Sequence, residues 1–199
     1  MSAELALPPS HEIFVHIRII IGMILGISVS RIIIGATRFI QHPGKEKIYL
    51  THFGWVIYIF LFIIHFWWFE FAHSQTKIWT FGLYLLLIFY AIIFAMLAAM
   101  LFPDHINEYD GFRGYFCQRR SWFYALLLTL LVVDVIDTYA KGQKYYHHYG
   151  LAYPVRQFLL TMGAAGGLVF RSERYDIAYI SLALAAQVVW IGVLFNILN

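Results

Sequence analysis

Two aspartates lie three residues apart inside an apolar stretch of the chain. Asp134 and Asp137 occur in the sequence LLLTLLVVDVIDTYA. On a helix, this spacing places both carboxylates on nearly the same face, about one turn apart. Like charges at such close range favour the sharing of a proton, and more so in apolar surroundings. The pair therefore suits a proton relay or a cation site. It could instead hold helices together by pairing with Arg18 or Arg156, and the sequence leaves both interpretations open.

Other ionisable residues interrupt apolar stretches at what we expect to be a similar depth. An ionised side chain in a lipid-like surrounding costs about 2.5–3.5 kcal/mol on insertion scales. Such residues therefore mark either ion pairs between helices or a functional cavity. Two arginines and three carboxylates among them can pair with one another. The predicted polar network, or transport site, consists of Arg18, His65, Glu70, Asp134, Asp137 and Arg156.

The histidines give little support to a haem or metal site. His52 and His65 fall on one predicted helix, but bis-histidine haem binding needs partner histidines on a second helix, and the later apolar runs have none in their cores. His147 and His148 could bind a transition metal weakly, although a polar loop is the simpler interpretation. The sequence has no H-E-x-x-H motif and no glycine-rich phosphate loop. It predicts no cofactor and no metal, and no catalytic residue is nominated.

The chain contains six apolar runs, and four of them carry the residues of the predicted network. Hydrophobic residues make up 61% of the 199-residue chain and charged residues 13%, whereas soluble domains have about 45–50% and 25%. A helix needs roughly 20 apolar residues to cross a hydrocarbon core about 30 Å thick. The sequence therefore predicts an all-α fold, with 1–199 forming a single transmembrane domain of about six helices. The predicted helices are 14–40, 50–72, 79–102, 122–139, 153–170 and 177–198.

The basic residues near the helix ends predict an orientation, because Lys and Arg gather on the cytoplasmic side of a membrane. The first, third and fifth connections hold Arg38, Lys45, Lys47, Arg113, Arg119, Arg120, Arg171 and Arg174, whereas the opposite side holds Arg18, Lys77, Lys141, Lys144 and Arg156. This asymmetry predicts that both termini lie on the outer, periplasmic side. The inner connection around Phe112 is predicted to lie on the membrane surface as a short interfacial helix.

Small residues at helical spacing predict where helices approach one another. Lipid tails are as apolar as leucine, so close backbone approach drives association more than apolar burial does. The small residues are Gly22, Gly26 and Ser30, then Ala91, Ala95 and Ala99, and finally Gly163 and Gly167. These faces predict packing within the bundle or a homo-oligomer. The predicted partner is the lipid bilayer, and no basic stripe points to nucleic acid.

Several stretches resemble an uncharacterised family of bacterial multi-pass membrane proteins. They are ATRFIQHPGKEKIYLTHFGW (36–55), HFWWFEF (65–71), WTFGLYLLLIFY (79–90), LFPDHINEYDGFRGYFCQRRSWFYALL (101–127) and the region of Asp134 and Asp137. The resemblance covers roughly half of the chain. It implies a multi-pass protein of the bacterial inner membrane and implies no activity. Because polar residues such as His65 and Glu70 lie in the resembling stretches, we expect a site that involves these two residues and Asp134.

Three functions fit these features. The first is a small channel or transporter for protons or another small ion, which requires a water-accessible cavity that reaches Asp134 or Glu70. The alternative is a membrane interaction or assembly protein that transports nothing, in which the buried charges pair with one another. A membrane enzyme ranks last, because no hydrophilic cleft or catalytic residue is indicated.

Overall fold

The chain is helical throughout most of the segments that the structure describes. The structure is a computed structural model and describes residues 9–42 and 48–194. These segments contain no β-strand, which confirms the predicted all-α fold. The α-helices in chain order are α1 Ser10–Gln41, α2 Leu50–Phe69, α3 Phe81–Leu101, α4 Gly111–Ala140, α5 Gln143–His148, α6 Ala152–Val169 and α7 Glu173–Leu194. A 3₁₀ turn, Glu70–Gln75, continues α2, and a second one, Ile106–Glu108, precedes α4.

The helix that differs most from its prediction is α4. It begins at Gly111 rather than at residue 122, because the arginines that interrupt the apolar run leave one face of the helix continuous. Phe112 and Phe116, four residues apart, are buried on that face, and the Phe112 ring centroid lies 4.6 Å from that of His52. The prediction of a separate interfacial helix is therefore wrong. The predicted end at residue 198 and the basic residues Lys45 and Lys47 lie outside the described residues.

Within residues 9–42 and 48–194, five helical segments are long and apolar enough to cross a membrane, as an integral membrane protein requires. They are Ser10–Gln41, Leu50–Gln75, Phe81–Leu101, Gly111–Ala140 and Glu173–Gly192. The sixth long helix, α6, is not among them; it has 18 residues, including Arg156 and Gln157. Nevertheless, α6 runs beside α4, since Gln157 Nε2 donates to the Leu131 carbonyl at 2.7 Å.

Successive long helices alternate in direction, so the bundle has two distinct ends. At one end, which we call the cluster end, α1, α3 and α6 begin and α2, α4 and α7 finish. At this end Ser10 Oγ donates a hydrogen bond to the Lys77 carbonyl at 3.0 Å. At the opposite, basic end, Arg31 and Arg120 make ion pairs. Helix α2 contacts α1, α3, α4 and α7. Four of its aromatic side chains, Trp55, Tyr58, Phe62 and Phe66, are almost completely buried.

Three of the four predicted glycine positions lie against aromatic rings of the same chain. Gly22 faces the Trp67 ring, Gly163 faces Tyr179, and a Cβ atom on Gly167 would lie 2.6 Å from the Tyr124 ring. Gly26 differs, because a Cβ atom there would meet no other described residue outside its own helix within 4 Å. The close approaches predicted from small residues therefore occur inside the bundle, and Gly26 leaves an open hollow on α1.

Candidate functional site

Four ionisable side chains meet at the cluster end, where the last turns of α2 and α4 come together. We call Glu70, His73, Asp137 and Lys141 the Lys141 cluster. Glu70 and His73 lie three residues apart on the 3₁₀ turn that continues α2, a spacing that aligns side chains on a helix of this kind. Asp137 and Lys141 lie four residues apart at the end of α4, which brings them together on one helix face.

Lys141 is the centre of the cluster. Its Nζ atom donates to Glu70 Oε1 at 2.8 Å and forms a second ion pair with Asp137 Oδ2. The other oxygen of Asp137 accepts a hydrogen bond from His73 Nε2 at 2.9 Å, while His73 Nδ1 lies 3.1 Å from Thr76 Oγ1. The ring of Phe69 lies against the ammonium, with its centroid 4.2 Å away. One ammonium thus joins the two helix ends through both carboxylates.

The Lys141 cluster is buried. Glu70 is 3% exposed, and the side chains of His73, Asp137 and Lys141 are 0% exposed. Burial by itself lowers the pKa of Lys141, but the Asp137 and Glu70 carboxylates outweigh that effect and hold its pKa above the ordinary value. Lys141 therefore carries a full positive charge at neutral pH.

The formal charges of the cluster do not cancel when His73 is neutral, because two carboxylates then face one ammonium. A single additional proton, on His73 or on Glu70, makes the cluster neutral. The hydrogen bonds of His73 suit both of its protonation states: Nε2–H donates to Asp137, and Nδ1 can either accept from or donate to the Thr76 hydroxyl. The cluster is therefore chemically able to take up one proton or one monovalent cation.

Glu70, His73 and Asp137 could also hold a divalent metal ion, since one ligand atom from each lies within 4.8 Å of the others. Carboxylate oxygens and an imidazole nitrogen are common zinc ligands. However, the Lys141 ammonium bridges both carboxylates, and it would have to leave before a metal could bind there.

Asp134 belongs to a second polar layer, about one helical turn away along α4. Its two oxygens accept hydrogen bonds from the hydroxyls of Tyr90, at 2.7 Å, and Tyr153, at 2.9 Å. The Thr138 hydroxyl is 2.8 Å from both the Asp134 carbonyl and the Tyr153 hydroxyl. Asp134 thus connects α4 to α3 and α6 through tyrosines and not through an arginine.

The two arginines of the predicted network lie apart from these carboxylates. Arg18 packs over the rings of Phe14, Trp67 and Phe71, with centroid distances of 5.4, 5.4 and 4.1 Å. Arg156 donates from Nη2 to Gln187 Oε1 at 2.5 Å. Among the described residues neither arginine forms an ion pair with Asp134 or Asp137, so the arginine–aspartate pairing that the sequence left open is not found there.

The remaining predicted site residue, His65, is 7% exposed and lies among aromatic side chains. Its ring centroid is 6.5 Å from that of Phe62 and 5.5 Å from that of Phe69. The structure therefore brings Glu70 together with Asp137, places Asp134 in the adjacent layer, and places His65 on the same helix as Glu70, one to two turns earlier.

Sequence reasoning missed two members of the Lys141 cluster. Lys141 was counted only for orientation, although its spacing from Asp137 is a recognisable ion-pair signal. His73 was assigned to a polar connection, and its proximity to Asp137 depends on a contact between residues 64 positions apart. The tyrosine partners of Asp134 gave no signal, because Tyr90 and Tyr153 are two of 14 tyrosines in the chain.

Comparisons with protein-family models, with curated proteins and with solved structures give no match.

Proposed function

We propose that this chain is an integral protein of the bacterial inner membrane that acts through association with other membrane components and does not itself transport ions. The observation that supports this proposal is the Lys141 cluster, whose four side chains are buried and paired with one another. A transport site needs ionisable groups that water or an ion can reach. Here the ionisable groups bind one another and join the end of α2 to the end of α4.

Reconstitution into phospholipid vesicles tests the absence of transport. We expect purified protein in vesicles that contain a pH-sensitive dye to conduct no more protons, under a pH gradient or a membrane potential, than protein-free vesicles do. Asp134→Asn should lower the thermal stability without changing this background. A proton flux that Glu70→Gln abolishes would overturn the proposal.

The hollow at Gly26 is the surface that we propose for association. It lies in a groove of about 640 Å³ on α1 that Gly22, Ser30 and Arg31 also line, and close backbone approach at small residues stabilises helix pairs in membranes. In a Cys117→Ser background, Gly26→Cys should give disulfide-linked dimers in native membranes. The matched control is Phe89→Cys, which is also exposed, on α3, and which should remain monomeric. Equal cross-linking of the two variants would exclude this surface.

The basic end of the bundle is the end that we propose to face the cytoplasm, with both termini outside. Cys117, which is exposed near the start of α4 at that end, allows a direct measurement. A membrane-impermeant maleimide should label Cys117 only after spheroplasts are permeabilised. Labelling of intact spheroplasts would reverse the orientation.

A second candidate function is a proton or small-cation transporter, and the charge of the Lys141 cluster supports it. With neutral His73 the cluster carries two negative charges and one positive charge, so it can take up one cation. This candidate requires an opening of the contact between α2 and α4. Proton flux in the vesicle experiment, lost in both Glu70→Gln and Asp137→Asn, would favour it.

A further inference from the structure

A groove separates α6 from α7 at the cluster end of the bundle. It arises because α6 packs mainly against α4, whereas α7 packs mainly against α2. The groove has a volume of about 590 Å³, which is within the usual range of ligand sites. Its walls are almost entirely apolar and include Val155, Leu159, Leu182 and Val189, each of which is more than half exposed.

The exception among the lining residues is Arg156, a cation that is only 9% exposed. Its guanidinium donates to Gln187 and lies 5.0 Å from the Trp190 ring centroid. Among the described residues, its buried Nε atom has no hydrogen-bond partner, and neither has Nε2 of Gln187. Within the described part of the chain Arg156 forms no ion pair, and Asp134 acts on it only through a longer-range electrostatic interaction. The groove therefore contains one buried positive charge that has no carboxylate partner among the described residues.

The position of Arg156 along α6 fits the level of lipid headgroups. Arg156 comes four residues after Ala152, the first residue of the helix, which is about 6 Å along the helix axis. Tyr153 on the same turn bonds Asp134, so this turn lies beside the last turns of α4, a helix able to cross a membrane. Trp190 lies at the same level, and tryptophan prefers the membrane interface. Farther from that end, the groove is lined by Leu159, Leu160 and Leu182.

We propose that the α6/α7 groove binds an anionic phospholipid, with the phosphate at Arg156 and one acyl chain between α6 and α7. The exposed apolar walls match the acyl chain, and the phosphate supplies the negative charge that Arg156 lacks as a partner. A basic pocket between membrane helices is a recurrent form of lipid headgroup site. This proposal does not depend on whether the protein transports ions, because the groove is separate from the Lys141 cluster.

Fluorescence quenching of Trp190 tests the proposal. The protein in neutral detergent is titrated with phosphatidylglycerol or phosphatidylcholine that carries dibrominated acyl chains. The signal of Trp190 is obtained by subtracting the response of a Trp190→Phe variant. The half-saturating concentration of phosphatidylglycerol should be about fivefold lower than that of phosphatidylcholine, which is the preference expected from one arginine near an anionic lipid.

Three groove variants and one control complete the design. Arg156→Gln should remove the fivefold preference, whereas Arg156→Lys should keep most of it. Ala186→Leu adds volume to the groove wall and should weaken quenching by both lipids while Arg156 remains intact. The control, Arg174→Gln, removes an exposed arginine at the opposite end of α7 and should behave as the wild type. Equal quenching by the two lipids in the wild type, or a preference that survives in Arg156→Gln, would overturn the proposal.

Discussion

Lys141 Nζ and Glu70 Oε1 lie 2.8 Å apart, although the two residues are separated by 71 positions in the chain. The contact joins the end of α4 to the 3₁₀ turn that follows α2. Because Lys141 also pairs with Asp137 on its own helix, one side chain compensates two buried carboxylates. The cost of burying an ion pair is repaid only when its geometry is good and the remaining hydrogen bonds are made, as His73 and Thr76 make them here.

Lys141→Met should destabilise the protein strongly. The substitution keeps most of the side-chain volume but leaves Glu70 and Asp137 buried without their cation. Removal of one partner from a buried ion pair costs about 3–5 kcal/mol. The measurement is thermal unfolding in detergent micelles. Lys144→Met is the matched control, since Lys144 is exposed on α5 and an exposed substitution should change stability by less than about 0.5 kcal/mol. Similar losses in both variants would contradict the role assigned to Lys141.

On the alkaline side, the stability that Lys141 contributes should be lost only at strongly alkaline pH. Its carboxylate neighbours hold its pKa in the folded protein above the ordinary value despite burial, and that ordinary value is about 10.4. A raised folded pKa means that the contribution is complete below the unfolded pKa and disappears as pH rises through the folded pKa. The difference in Tm between wild type and Lys141→Met should therefore persist up to about pH 10 and shrink above it. A difference that vanishes between pH 7 and pH 9 would contradict the assignment.

The helices were predictable from the sequence because long apolar runs have few alternatives in a lipid-like environment. Helix α2, for example, begins at Leu50 as predicted. The start of α4 was missed because Arg113, Arg119 and Arg120 interrupt the apolar run, although Phe112 and Phe116 keep one buried face continuous. Average hydropathy does not distinguish a helix with one charged face from a polar connection.

The partners within the candidate site were less predictable than its acidic members. Asp134, Asp137 and Glu70 were identified because each carries a charge in an apolar run. Their partners depend on how the helices rotate and pack, which a single sequence does not specify. Arg156 has the charge that would suit Asp134, but Tyr90 and Tyr153 reach that carboxylate. Because the chain has 14 tyrosines, the sequence does not indicate which of their hydroxyls donate to a given carboxylate.

Gly167→Ala should lower stability, whereas Gly26→Ala should not. A Cβ atom on Gly167 would lie 2.6 Å from three atoms of the buried Tyr124 ring, and no atom lies within 4 Å of a Cβ atom on Gly26. Overpacking of this kind typically costs about 1–3 kcal/mol. Thermal unfolding of the two variants in the same detergent gives the comparison. A loss of stability in Gly26→Ala equal to that in Gly167→Ala would show that the Tyr124 ring does not determine the effect, since alanine itself favours a helix over glycine.

Arg120→Met should destabilise the basic end far more than Arg113→Met does. Arg120 forms an ion pair with Asp176, and both side chains are buried; the Tyr124 hydroxyl donates to the other Asp176 oxygen at 2.8 Å. Without Arg120, Asp176 keeps only that hydroxyl, and the expected cost is about 3–5 kcal/mol. Arg113 and Glu173 join the same two helices with Nε 2.6 Å from Oε1, but both side chains are exposed. Such pairs contribute at most about 1 kcal/mol.

The double variant Arg120→Met/Asp176→Leu distinguishes an uncompensated charge from a loss of packing. Replacement of both members of a buried ion pair by apolar residues is often neutral, so the double variant should recover most of the stability that Arg120→Met loses. The same unfolding measurement, carried out at 0.1 and about 1 M salt, should show little salt dependence for the Arg120 variants, because buried pairs are screened much less than exposed ones. If the double variant is as unstable as Arg120→Met, the contacts of the arginine side chain itself, and not the charge left on Asp176, hold α4 against α7.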